Sequence, residues 1–345
     1  MAAAGYALSR LALLLGALCT APGVRAQVTT DRPAPLAGLD LYVPAPLRET
    51  PPEMVALGRR LFFDPVLSRD STVSCAACHR PSRAFTDGKP RARGIGGRVG
   101  RRNAPTLLNR GYGMAFAWDG RGGTLAAQAL RAIQDSAEMD LTVQVAVERL
   151  ARHPGYVRAF EAAGGGPPSG AVLGEALAGY LRSIRSGDSR FDRFVAGDST
   201  ALNSLERRGL ALFQGRARCD RCHTGPLLSD EKFHNTGVAW QSGRFSDGGR
   251  FEVTRRAGDL GAFKTPTLRE VARTAPYMHD GSLVSLEEVV DFYARGGSSN
   301  PNLDPEIRAI PLGFGERAAL VAFLRTLTGA VWEGLPAPRA RGKAR

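Results

Sequence analysis

Two short stretches hold the residues best suited to chemistry. "SCAACH" ends in Cys75, Cys78 and His79, and "RCDRCH" ends in Cys219, Cys222 and His223. Each sets two thiols and an imidazole in the spacing C-x-x-C-H. An oxidoreductase disulfide would use one such motif, and a four-thiolate zinc needs no adjacent histidine. The immediate histidine decides for the haem attachment signal, in which two thiols add across the porphyrin vinyl groups and the next residue is carried beneath the iron. The only other cysteine, Cys19, falls in an N-terminal leader. The motifs predict two covalently bound haem c groups, with His79 and His223 as proximal iron ligands.

The opposite face of each iron decides what such a protein does. A second strong ligand makes an electron carrier, whereas an open face beside acid-base groups admits peroxide. His153, His234 and His279 and the methionines Met54, Met114, Met139 and Met278 are all ligands by type, and the residues alone do not choose among them. His153 in "RHPGY" has the setting of a surface residue at a helix end. His234 in "FHNTG" and His279 in "MHDG" sit in turn-rich sequence suited to hydrogen bonding around a site.

The elements that must position these groups follow from periodicity. The chain has 345 residues, enough for two modest domains. Arg10, the apolar run Leu11 to Leu18 and the small residues up to Ala26 form a secretory leader over 1–26, which places the chain in the periplasm. A lipid anchor at Cys19 is disfavoured by the bulky Leu18 before it. No later segment approaches a membrane span, so no stable membrane insertion is expected. The formal charge of +13 includes Arg10 and Arg25 of the leader, leaving +11 beyond it. The basic residues are dispersed, without an aromatic-basic recognition motif, which argues against nucleic acid and for steering of an acidic redox partner.

A degenerate repeat runs through the rest. "GRRLFF" precedes the first motif and "GLALFQ" the second, on helical periodicity that puts Leu57, Leu61, Leu205 and Leu212 on core faces. Each unit closes with a matching stretch, "EALAGYLRSI" (Glu175 to Ile184) and "AALVAFLRTL" (Ala318 to Leu327). The predicted class is all-α, with two loop-rich class I cytochrome c-like domains over 27–192 and 193–332. They join at the periodicity-breaking stretch "GDSRFDRFVAGDSTALN", and 333–345 is a basic disordered tail.

The ordered blocks "LGRRLFFDPVLS", "SCAACH", "RNAPTLLN", "WDGRGGTLAAQA", "AEMD", "CDRCH", "FHNTGV" and "KTPTLREVARTAPYMHDGSLVSLEEVVDFYARGG" span roughly Leu41 to Gly329. This pattern resembles the bacterial di-haem cytochrome c peroxidases and the related enzymes that mature methylamine dehydrogenase. The resemblance implies that His79 serves a peroxide-reacting haem and His223 an electron-transfer haem, with Trp118 between them. Gln128 and Glu138 match the distal amide and carboxylate, the latter a proton carrier for peroxide cleavage. Asn103, Thr274 and Pro276 match the surroundings of a calcium ion, the latter two through main-chain carbonyls.

Two departures bear on function. Some relatives carry a capping histidine in the glycine-rich loop after the first haem; here "RGIGGRVG" has Ile95 there, which implies an open first iron, with Met114 the one strong ligand left before Trp118. Relatives with a Met/His second haem have methionine where this chain has Tyr293. A phenolate ligand would favour the oxidised iron, with Met278 the alternative. The resemblance thus implies hydrogen peroxide reduction with electrons from a small periplasmic cytochrome c or cupredoxin. The alternatives are oxidation of side chains on a protein substrate and a non-enzymatic electron carrier. A homodimer is left open.

Overall fold

The computed structural model describes residues 50–334; the leader with Cys19 and the stretch 335–345 lie outside the described residues. Helix α1 (Pro52–Phe63) begins on a proline that needs no hydrogen-bond acceptor and carries Glu53 in its first turn and Arg60 in its last, in accord with the helix dipole. The short α2 (Cys75–Cys78) holds the first motif. It is followed by α3 (Leu125–Gln134), α4 (Val143–Ala151), α5 (Pro154–Ala162) and α6 (Gly170–Ser183). Next come α7 (Arg190–Val195), α8 (Ser204–Gln214), α9 (Phe251–Thr254), α10 (Leu286–Ala294) and α11 (Phe314–Arg325). Thr124, Thr142, Ser169 and Ser285 each accept a backbone N–H at a helix start, as short side-chain oxygens do.

The repeat seen in the sequence is a repeated helix crossing. Gly58 on α1 lies directly against the Ala176 carbonyl of α6, and Gly209 on α8 lies against the Ala319 carbonyl of α11. One turn on, Phe62 meets Tyr180 with ring centroids 5.1 Å apart, and Phe213 meets Phe323 at 5.1 Å. Each crossing anchors its own apolar cluster. One holds Leu57, Leu61, Phe85, Ile133 and Leu173; the other holds Leu210, Val290, Leu320 and Leu324.

This geometry corrects one core assignment. Leu205 is 45% exposed, because α8 must present Gly209 and Phe213 to α11 and its buried stripe is therefore Glu206, Gly209, Leu210 and Phe213. Leu57 and Leu61 are buried and Leu212 packs partly against the second cluster, as expected.

The all-α expectation needs amending too. β1 (Arg185–Gly187), β2 (Phe233–His234), β3 (Trp240–Gln241), β4 (Arg244–Phe245), β5 (Phe263–Lys264) and β6 (Ala330–Trp332) form three antiparallel pairs, β1–β6, β2–β5 and β3–β4. Strands of two or three residues are too short to leave a readable alternation. β6 returns the chain end to the first half, where Glu333, expected in the tail, accepts hydrogen bonds from the Tyr180 hydroxyl (2.8 Å) and Arg59 (3.3 Å). The stretch expected to break periodicity contains α7, whose Ser189 and Asp192 form a capping box; Asp192 also receives both guanidinium arms of the buried Arg269, at 2.8 and 2.9 Å.

A methyl group at either crossing glycine would collide with backbone that cannot rotate away. Gly58→Ala and Gly209→Ala are each expected to destabilise the holoprotein by about 1–3 kcal/mol. Thermal unfolding checks this, and an unshifted midpoint in either variant would mean that the helices are not in backbone contact there.

Candidate active site

Both motifs build the same half-site. The His79 amide closes on the Cys75 carbonyl at 3.0 Å and the His223 amide on Cys219 at 2.9 Å, so each histidine emerges under its pair of cysteines. His79 Nδ1 donates to the Phe85 carbonyl (3.0 Å) and His223 Nδ1 to the Leu228 carbonyl (2.9 Å). Those acceptors put the proton on Nδ1 and leave the Nε2 lone pair for a metal. Burial lowers the pKa of His79, and that of His223 to about 4, so both rings are neutral.

Burial likewise pushes Cys75 to about 12, Cys78 to about 11 and Cys219 to about 12, and no disulfide joins any of the four thiols. The motif cysteines do not converge on a four-thiolate site either. Among the described residues the group able to hold a metal ion is Cys222 with Asp230 and His234. Cysteine pairs free of disulfides, each followed by an imidazole with a free Nε2, fit covalent haem at both motifs.

Around the first motif, Glu138 is solvent-exposed and lies close enough to Cys75 and Cys78 to raise both thiols electrostatically. Desolvation by the surrounding protein first, and Asp135 next, raise its carboxyl to about 7 against the opposing charge of Arg121, and the solvent on its open side pulls the other way. Gln128 lies over Gly122, and its buried Oε1 has no hydrogen-bond partner among the described residues. A buried amide oxygen left bare is suited to accept from a ligand group. Ile95 is fully buried and offers no ligand atom, and Met114 is 77% exposed at the surface.

Trp118 is tied to both sides of the molecule. Its Nε1 donates to the Asn103 carbonyl (2.9 Å), and its own carbonyl accepts from Lys264 (2.8 Å). His279 stands edge-on to it at 6.5 Å and stacks on Phe263 at 3.7 Å. Two buried ion clusters flank this strip. Arg102 binds Asp119 at 2.6 Å and Asp247 through two bonds of 2.8 Å, while Arg110 grips Glu231 through two bonds of 2.9 Å, with Lys264 on the same carboxylate at 3.2 Å. Arg121, on the far side of Asp119 at 2.8 Å, links that network to Glu138. These clusters escaped sequence reading because their partners lie up to 145 positions apart.

At the second motif, α10 brings Tyr293 beside the cysteines. Burial raises its phenol far above the ordinary value, Cys222 and Cys219 add to that, and a hydrogen bond with Thr236 opposes it. No contact among the described residues ties Met278 to these cysteines. His234 is bracketed by Asp304 at Nδ1 (2.7 Å) and Asp230 at Nε2 (3.0 Å). Bonding with Cys222 first, then with Asp304 and Asp230, outweighs burial and raises His234 to about 10; in a thioether that sulfur carries no charge and the two carboxylates remain. His153 is an exposed helix-start residue, as expected.

The predicted calcium residues are brought partly together. The Asn103 amide N–H donates to the His279 carbonyl (2.7 Å), three residues beyond Pro276, and Asn103 Nδ2 donates to Lys89 (2.8 Å). Its Oδ1, like the Thr274 and Pro276 carbonyls, accepts no hydrogen bond among the described residues, a donor set of hard oxygens.

The Glu138 environment predicts that its carboxyl titrates near pH 7. The infrared band of a protonated carboxyl should fade as pH rises through that value and be missing from Glu138→Gln; titration in the ordinary range near 4.5 would contradict the assignment.

Residues 52–200 match the family model of the di-haem cytochrome c peroxidases. The chain is 44% identical over 278 residues to the methylamine utilization protein MauG of Methylorubrum extorquens, covering 80% of this chain and 78% of that protein. It is 36% identical over 352 residues to the cytochrome-c peroxidase IdrP1 of Pseudomonas sp. strain SCT, covering 92% of each. Among solved structures, a MauG-like protein associated with microbial copper homeostasis superposes with a TM-score of 0.75 at 34% identity, over 82% of this chain and 91% of the other. With two C-x-x-C-H half-sites of matching geometry and relatives this similar along most of its length, the chain belongs to the di-haem cytochrome c peroxidase family and is a peroxidase-type oxidoreductase.

Proposed function

We propose that this protein is a periplasmic enzyme reducing hydrogen peroxide to water with electrons from a small redox protein, a cytochrome c or a cupredoxin. Each turnover takes one peroxide, two electrons and two protons to two waters. Haem bound at His79 and His223 would supply the redox-active iron, in two cytochrome c-like domains whose duplicated glycine crossings support that division. The observation that carries the reading is Glu138, a solvent-accessible carboxyl raised to about 7 beside the cysteines of the first motif. As carboxylate it takes the proton from the attacking peroxide oxygen, and as acid it returns it to the departing one. Gln128 would orient the peroxide, Trp118 would offer an oxidisable ring between the two sites, and Asn103, Thr274 and Pro276 would supply hard oxygens to a calcium ion.

The periplasmic address rests on the leader pattern. No helix among the described residues is long and apolar enough to cross a membrane. With a reduced small cytochrome as donor, the holoenzyme should oxidise it on adding peroxide, two equivalents per peroxide. Glu138→Gln should slow the reaction with peroxide by about 10²- to 10⁴-fold. Consumption of peroxide at the unaltered rate in that variant would remove Glu138 from the chemistry.

Tyr293 favours a second reading, in which a protein side chain is the reductant. A phenolate on the second iron would lower its potential and make it a store of oxidising equivalents, and the 44% identical relative bears the name of a methylamine utilization protein. Tyr293→Phe should then change the absorption spectrum of the second haem. An unchanged spectrum would point to Met278 or another ligand.

A further inference from the structure

Glu138 is placed by residues outside the first motif itself. Asp135 winds the turn that carries it, its carbonyl accepting from the amides of Glu138 (3.0 Å), Met139 (3.1 Å) and Asp140 (3.0 Å), and its Oδ1 accepting from Ala137 at 2.8 Å. The hairpin 92–100 then grips this turn. It is closed by Gly94 to Arg98 (2.9 Å) and Gly100 to Ala92 (2.8 Å). Its Gly94 lies so close to the carbonyls of Ala137 and Glu138 that no Cβ fits between them. The Ile95 amide donates to the Glu138 carbonyl at 2.8 Å, and the Ile95 side chain is fully buried.

Arg98 spans the turn, donating to the Ser136 carbonyl at 2.6 Å and to Asp140 at 2.8 Å, where Arg69 also binds at 2.7 Å. At its other end the hairpin reaches the first motif, where the Arg93 carbonyl accepts from Cys78 Sγ at 3.7 Å. One nine-residue element therefore touches a haem-attachment cysteine and holds the Glu138 turn at its two flanks and its centre.

The geometry points to the 92–100 hairpin as the positioning element of Glu138, with Arg98 as its two-point clamp. The inference deepens the reading of Glu138 as proton carrier and rests on it for its kinetic part. A segment anchored this way, with Ile95 sunk into the interior, is a fixed support for the Glu138 turn. The charged neighbours acting on the carboxyl are Asp135 and Arg121, and releasing the clamp changes its distance to both.

Arg98 is 47% exposed in its side chain, and exposed ion pairs add little to global stability, so its variants should fold. In Arg98→Ala holoprotein, the Glu138 infrared titration midpoint should move away from about 7 as the loosened turn changes the distance of the carboxyl to Asp135 and Arg121. The second-order rate with hydrogen peroxide should fall by roughly tenfold, the scale of a small misplacement of a reacting group. Both bonds leave one nitrogen, Nη1, so Arg98→Lys keeps the charge and a donor able to reach both acceptors, and should lie closer to the unaltered protein than Arg98→Ala in both readouts. An unmoved midpoint in Arg98→Ala, at an unchanged melting temperature, would overturn the inference. If the wild-type enzyme were inert to peroxide, the functional reading would fail, and the midpoint shift alone would still decide the role of the hairpin.

Discussion

Backbone contact between an opening and a closing helix, allowed by glycine and made twice, is the constraint on which the molecule is built. A glycine without Cβ lets a helix come down onto a neighbouring carbonyl, and the aromatic ring four residues later seals the crossing. Each opening helix leads into a cysteine pair, so the crossing sets where the thiols and their histidine stand relative to the apolar cluster beneath. The duplicated half-sites are then furnished differently. The first receives the segments around Phe85, Ile95 and Glu138; the second receives those around Leu228, His234 and Tyr293. Chemical division of labour comes from what each loop delivers to a common frame.

Charge, not apolar packing, joins the parts around Trp118. Arg102 and Arg110 come from the first half of the chain, and their partners Asp247 and Glu231 from the second, all buried. Buried ion pairs are poor evidence for stability, because desolvation offsets most of their attraction, but removing one partner strands a charge. Their value here is registry, since a slipped arrangement would leave a guanidinium without its carboxylate. Lys264 shows the cost: burial first and Arg110 next lower it to about 8, and the nearby Glu231 compensates only in part.

The sequence was most legible where chemistry imposes short spacing. Two C-x-x-C-H motifs announced the half-sites, and "GRRLFF" with "GLALFQ" announced the crossings that support them. Glu138 has no local signature, since "AEMD" describes any helix end, and it was reached only through resemblance. Arg98 was silent because its partners lie 38 and 42 positions away. Leu205 misled because periodicity tells how a stripe repeats, not which way a glycine obliges the helix to turn. The small β-pairs went unseen for want of length, and the ion clusters because charge scattered along a chain looks like ordinary solvated surface.

The return of the chain end has a consequence for how the protein is made. β6 pairs with β1, and Glu333 reaches Arg59 across 274 positions and the Tyr180 hydroxyl beneath it. The contacts that close over the first helix crossing thus come from a segment 274 positions further along the chain than the helix it covers. Long-range closure of this kind is slow and leaves apolar surface uncovered meanwhile. The first crossing is therefore completed only after the second half of the polypeptide has folded back onto it.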